Sequence, residues 1–290
     1  MPRPIDVRAR GLTFRCLTAG DGPLVLLVHG FPDDATSFAP LCDELAAAGY
    51  RAVAPFTRGY APTSAAADGD YSIAALGGDL IALIRALGAD RATIVGHDWG
   101  AISGYAAANL APAFVRDLIT LAVPPLASFV GRARAAQLRR SWYIGLFQLP
   151  GIAERRLAAD DFALIDRLWA DWSPGWRAPA ERLAAVKATF RRPGTVAAAL
   201  AYYRALRPQL GRVDAWRRSR SLGFQRLRVP ALVLAGGRDG CIGAETFAGA
   251  VATSDAPIDC RVLPGVGHFM HLEDPARLHA LILERLAAQG

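Results

Sequence analysis

The residue whose type and setting promise chemistry is Asp98, in the run Val95-Gly96-His97-Asp98-Trp99-Gly100-Ala101. An apolar stretch, Ala92–Val95, leads into it, and a helical pattern, Ala101–Asn109, leads out. Gly-x-nucleophile-x-Gly at a strand-to-helix junction is a nucleophile elbow. Its tight turn strains the central residue and tolerates only the smallest neighbours two positions away. It also lifts the central side chain above the sheet, at a helix N-terminus. A carboxylate attacking an ester would form an anhydride, no easier to reach than the substrate. A carboxylate displacing at a saturated carbon forms an alkyl ester, a workable intermediate. Epoxides and alkyl halides are the matching electrophiles. The competing reading of an isolated Gly-x-Asp-x-Gly is a glycine-rich turn with an N-capping aspartate.

Two further groups complete a constellation. Asp239 follows the apolar run Leu232–Ala235 within Gly236-Gly237-Arg238-Asp239-Gly240, just past the C-terminal edge of a sheet strand. His268 lies in Pro264-Gly265-Val266-Gly267-His268-Phe269, after the predicted strand Ile258–Leu263. Taken singly, these are a turn aspartate and a loop histidine. Their chain order, nucleophile then acid then histidine, is that of a hydrolytic triad on an α/β sheet. His29-Gly30-Phe31-Pro32 follows another apolar run, so the Phe31 N–H can join the Trp99 N–H in an oxyanion hole. His29 reads as structural, and His97 as turned away from the nucleophile beside it. His271 and His279 read as surface groups. No HxH or HExxH spacing is present, so no metal and no cofactor are expected.

These loops need a scaffold, and the apolar runs supply it. Leu24–Val28, Arg51–Ala54, Ala92–Val95, Leu118–Leu121 and Ala231–Leu234 lack polar alternation, as parallel strands covered on both faces do. Helical patterns at Pro40–Ala48, Ser72–Leu87 and Ala101–Asn109 separate them, and Pro275–Ala288 is an amphipathic closing helix. The fold class is α/β: a doubly wound, mostly parallel sheet. The rhythm breaks across a segment rich in Arg, Trp and Tyr that reads as helices at Arg132–Leu146, Asp160–Asp171, Pro179–Phe190 and Thr195–Leu206. The expected organisation is a core of residues 1–126 and 229–290 with an inserted helical lid over 127–228.

Composition sets outer limits. The 290 residues suit one α/β domain with an insertion, and the 52% hydrophobic content is ample for a packed core. The formal charge of +7 comes almost wholly from arginine, Lys187 being the lone lysine. No nucleic-acid motif accompanies it, so the arginines read as solvated helix faces and no nucleic-acid partner is expected. Cys16, Cys42, Cys241 and Cys260 form no CxxC pair and read as reduced, mostly buried thiols. The N-terminus has no apolar signal region, and no run approaches the length of a membrane span. The expectation is a cytoplasmic protein; a homodimer is left open.

With these residues on the page, the chain resembles the α/β-hydrolase-fold epoxide hydrolases, the branch with an aspartate nucleophile. The resemblance covers most of the chain, from His29-Gly30-Phe31-Pro32 through Gly96-His97-Asp98-Trp99-Gly100 to Gly267-His268. It implies two lid tyrosines that donate to the epoxide oxygen. Tyr143, opening the stretch Tyr143–Gly151, matches the first position; Tyr203 in Tyr202-Tyr203-Arg204 matches the second, with Tyr202 as substitute. A phenol suits the task, because epoxide opening creates an alkoxide that needs a donor. Trp99, Phe31, Trp142 and Tyr202 are then expected around the substrate, a small apolar epoxide that reacts with water. Haloalkane dehalogenases share the Gly-His-Asp-Trp-Gly run. They need N–H donors for a leaving halide, and Phe31 stands where many have Asn; Trp142, Trp169, Trp172 or Trp176 would have to supply the second. A third reading is a hydrolase-fold protein that only binds a ligand, which a missing triad member would favour. Phe56-Thr57-Arg58-Gly59-Tyr60-Ala61-Pro62 departs from the family's usual turn, with Ala61 for Gly and no acid before Arg58.

Overall fold

The computed structural model describes residues 1–209 and 211–289. Eight strands form one sheet: β1 (Arg3–Ala9), β2 (Leu12–Ala19), β3 (Leu24–Val28), β4 (Arg51–Pro55), β5 (Ala92–His97), β6 (Val115–Leu121), β7 (Ala231–Gly236) and β8 (Ile258–Leu263). Their spatial order is β1-β2-β4-β3-β5-β6-β7-β8. From β4 to β8 every pairing is parallel, while β1 and β2 run antiparallel at one edge. The predicted parallel strands all form, extended by a residue or more at their ends in β4, β5, β6 and β7. The edge hairpin lies outside the apolar runs that mark the parallel strands. Its signal is the alternating burial of β2 and a turn at Arg10-Gly11 with both residues at positive φ (49° and 74°), the conformation of a tight two-residue hairpin loop.

Helices α1 (Ala39–Ala47), α2 (Ile73–Ala86) and α3 (Trp99–Leu110) follow β3, β4 and β5. Because side chains alternate along a strand, each central strand feeds two cores. Leu26, Val28 and Ile94 pack toward α2 and α3, while Val25, Leu27 and Val95 pack toward α1 and the C-terminal helix. This is why those strands read as unbroken apolar runs.

Between β6 and β7 lie seven helices: α4 (Leu126–Arg132), α5 (Ala135–Arg140), α6 (Trp142–Phe147), α7 (Ile152–Trp172), α8 (Ala180–Arg191), α9 (Thr195–Arg204) and α10 (Val213–Phe224). The pattern read as one helix over Arg132–Leu146 is three short ones, with the chain leaving helical geometry at Ala133 (ψ 132°) and Arg134 (ψ 175°). Helix α7 is broken at Ala159–Phe162, where Asp160, Asp161 and Phe162 take positive φ. The C-terminal region adds α11 (Met270–Glu273) and α12 (Pro275–Ala287). No helix among the described residues is long and apolar enough to cross a membrane.

Candidate active site

Strand β5 ends at His97, and α3 begins at Trp99. Asp98 joins them with φ 50° and ψ −117°, an unfavourable conformation for a residue with a Cβ. Tight packing enforces it: a Cβ on Gly100 would lie 1.9 Å from the Val28 carbonyl oxygen. Across the turn, a Cβ on Gly30 would lie 2.4 Å from Asp98 Oδ1. The next residue in that loop turns its amide toward the same oxygen, so the Phe31 N–H donates to Asp98 Oδ1 at 2.7 Å. The Trp99 N–H belongs to the first turn of α3, where backbone donors lack intrahelical partners. One carboxylate oxygen is therefore held, and Oδ2 carries no comparable bond.

His268 is fully buried and turns Nε2 toward Asp98 Oδ2 at 3.7 Å, beyond a direct hydrogen bond. Its Nδ1 lies 2.9 Å from Asp239 Oδ2. The other oxygen of Asp239 accepts from the Cys241 and Ile242 amides at 2.7 and 2.8 Å, which fixes the carboxylate. Burial opposes charging the imidazole, but the carboxylates of Asp239 and Asp98 outweigh it and push its pKa up to about 10. The two carboxylates thus favour the imidazolium form of the ring.

Over this triad lies a cavity between α3 and the inserted helices, its wall including Asp98, Trp99, Tyr143 and Tyr203. Tyr143 and Tyr203 pack with ring centroids 5.8 Å apart. The Tyr203 hydroxyl is buried without a hydrogen-bond partner, while the Tyr143 hydroxyl meets the Cys241 thiol at 3.3 Å. Burial first, then Cys241 at Tyr143 and Asp98 at Tyr203, pushes both phenols well above their ordinary pKa and keeps them protonated donors.

Several expectations need correcting. Trp142 is 40% exposed, stacks under Arg167 and does not line the cavity. Tyr202 is buried but donates to the Arg58 carbonyl at 2.8 Å, so it is turned from the substrate space and cannot replace Tyr203. The Phe31 ring packs among Phe147, Trp172, Phe190 and the lid-position Tyr203, while its backbone N–H reaches Asp98. His271 and His279 are buried, at 3% exposure each. His271 sits 3.2 Å from Asp33, and that carboxylate lies in the loop after β3. His97 points its Nε2 at the His268 carbonyl (3.0 Å), and His29 accepts from the Thr57 amide (3.0 Å). Trp169 donates to the Pro32 carbonyl at 2.9 Å, so its N–H is engaged.

The sequence reading also missed residues. Cys241, two positions after Asp239, reads in sequence as an inert buried thiol. A buried network of Asp33, Asp34 and Arg182 binds α8 to the loop that carries Phe31, with Arg182 at 3.0 and 2.7 Å from the two aspartates. Asp33, His97 and His271 stand close enough together to suit a metal, as do Asp239, Cys241 and His268. In both sets the carboxylate is already bound by protein donors. Signals existed for part of the cavity wall. Ile102, Tyr105, Ala106 and Asn109 recur at helical spacing from Asp98 along α3.

Comparison with known proteins agrees with this geometry. A family model described as alpha/beta hydrolase fold matches residues 23–275. An AB hydrolase superfamily protein of Bacillus subtilis is 33% identical over 69% of this chain and 72% of its own length. Epoxide hydrolase 3 of Xenopus tropicalis is 30% identical over 97% of this chain and 77% of its own. The crystal structure of epoxide hydrolase A from Mycobacterium thermoresistibile superposes with a TM-score of 0.84 at 29% identity, covering 99% of this chain and 98% of that one. A sheet of this order, an aspartate at its elbow and these relatives together place the chain in the α/β-hydrolase fold family, beside the epoxide hydrolases.

Proposed function

We propose that the protein hydrolyses an epoxide to a vicinal diol through a covalent ester on Asp98. The observation that carries this reading is the pairing of a carboxylate nucleophile, one oxygen held by the Phe31 amide, with an unpartnered buried phenol at Tyr203 in the same cavity wall. Asp98 Oδ2 attacks one epoxide carbon, and the C–O bond to the ring oxygen breaks. Tyr203 and Tyr143 hold that oxygen, and a phenolic proton passes to it. Helices α4–α10 act as the lid that keeps bulk water from the site.

Alkylation removes the charge of Asp98, one of the two carboxylates that hold His268 as imidazolium. Its pKa therefore falls, its proton returns to the tyrosinate that epoxide opening left, and the now neutral ring takes a proton from water that attacks the Asp98 carboxyl carbon. The Phe31 and Trp99 amides stabilise the oxyanion; as it collapses the ester C–O bond breaks, His268 gives its proton to the leaving alkoxide, the diol departs, and the remaining carboxyl proton of Asp98 passes to the ring, restoring carboxylate and imidazolium. Asp239 keeps the imidazole oriented throughout.

Halide displacement uses the same nucleophile but needs two N–H donors at the leaving group. Phe31 offers no side-chain donor, Trp169 is engaged, Trp142 is at the surface and Trp176 stacks on Trp169, which leaves Trp172, packed against His268 and Tyr143, as the candidate second donor. Incubating His268→Gln with an epoxide tests the proposal. The expected result is a mass increase equal to one epoxide, localised to Asp98, with no diol released. Full turnover by this variant would overturn the role of His268. Halide release from a 1-bromoalkane exceeding diol formation from every epoxide tried would favour the dehalogenase reading.

A further inference from the structure

The cavity is not a cup around Asp98. Its wall follows one face of α3 through Trp99, Ile102, Tyr105, Ala106 and Asn109, so the space runs the length of that helix. Eleven residues at about 1.5 Å rise separate Asp98 from Asn109 by roughly 16 Å, the reach of a chain on the order of ten carbons.

Polar groups along this wall are few, and most are occupied. The Tyr105 hydroxyl bonds Thr120 and the Val123 carbonyl. The Thr253 hydroxyl donates to the Ala250 carbonyl. Ser141 accepts from Gln137, and Gln225 is at the exposed rim. Among the described residues, two buried side-chain atoms of the wall have no partner: the Tyr203 hydroxyl at the reacting end and Asn109 Oδ1 at the other. The Asn109 amide nitrogen donates to the Leu222 carbonyl at 2.9 Å, which orients the group and leaves its oxygen over. No arginine, lysine or histidine lines the cavity among the described residues, although the chain holds 33 Lys and Arg.

We propose that Asn109 is a specificity-determining residue whose amide oxygen accepts a hydrogen bond from a neutral donor, such as a hydroxyl, at the far end of a chain-like apolar epoxide. A methyl end would leave that oxygen unpaired. A carboxylate end would meet an acceptor and no cation. The inference rests on the epoxide-hydrolase reading.

The test uses three terminal epoxides of about ten carbons that end in a hydroxyl, a methyl or a carboxylate, with styrene oxide as a short reference. The wild-type protein is expected to show kcat/KM about five- to tenfold higher for the hydroxyl than the methyl end, the yield of one neutral hydrogen bond, with the acid lowest. In Asn109→Leu the hydroxyl-to-methyl ratio is expected to fall to about one. Equal wild-type values, preference for the acid, or an unchanged ratio in the variant would each overturn the proposal while diol formation from styrene oxide still stands. A residue that only anchors α10 would change all the long substrates alike. Should the wild type open none of the four epoxides, the reading of the site itself falls, and this inference with it.

Discussion

At Asp98 and His268 the chemistry is set by the company each group keeps. His268 is raised because two carboxylates face an imidazole that burial alone would keep neutral. Asp239 is the larger influence of the two, so removing Asp98 should lower the pKa in part. In Asp98→Asn the His268 pKa is expected to drop from about 10 toward the ordinary imidazole value of ~6.5, read by NMR titration of the ring. An unchanged titration would mean that Asp239 alone sets the charge. The tyrosines make a second residue-scale case. Tyr203→Phe removes the hydroxyl without a partner and is expected to lower kcat by about a hundredfold or more, the usual effect of losing one donor to a developing oxyanion. The double change with Tyr143→Phe should abolish epoxide opening and leave no alkyl-enzyme detectable by mass. Undiminished turnover would remove both phenols from the reaction.

At the scale of elements, the turn from β5 to α3 is the most constrained piece of the chain. A methyl group at position 100 has nowhere to go, since Val28 of β3 is already in contact. Gly100→Ala is therefore expected to cost about 1–3 kcal/mol of stability, measured by urea denaturation, and to cut kcat about a hundredfold by displacing the nucleophile. A stable and fully active variant would show that the elbow has slack that its packing denies. The helical insertion behaves differently. Helices α4, α5 and α6 run only 7, 6 and 6 residues, and α7 carries three consecutive residues at positive φ, so the inserted segment keeps its form through packing more than through helix propensity.

At the scale of the molecule, Arg182 ties helix α8 to the loop after β3. Burial would raise the Asp33 carboxyl, but Arg182, His271 and His97 prevail and hold it well below the usual carboxylate range. A carboxyl with a lowered folded-state pKa stabilises the fold at any pH above its unfolded value, about 3.9. That contribution fades as pH falls below it. Arg182→Met should strip out much of this and leave Asp33 and Asp34 short of a partner. The expected outcome is a loss of about 3 kcal/mol near neutral pH and acid unfolding that begins at a higher pH, followed by circular dichroism. Acid unfolding identical to that of the wild type would show that the network adds nothing to stability.

The amino-acid sequence by itself determined the order of the parallel strands along the chain, the elbow at Asp98 and the chain order of Asp98, Asp239 and His268. Each is local: an apolar run reads as a covered strand, and a glycine two places from a nucleophile reads as a tight turn. The β1–β2 hairpin was also local, but its signal lay in alternation and an Arg-Gly turn rather than in an unbroken run. Tertiary structure alone decided which side chains meet in the cavity. Tyr202 and Tyr203 are adjacent in sequence, yet one reaches Arg58 and the other faces Asp98's cavity, because neighbours on a helix point about 100° apart. Trp142 reads as a lid aromatic and lies at the surface, whereas His271, near a helical terminus, is buried by Asp33 from 238 residues away. Burial and partnership between distant segments depend on how lid and sheet close on each other, and no window of sequence contains that.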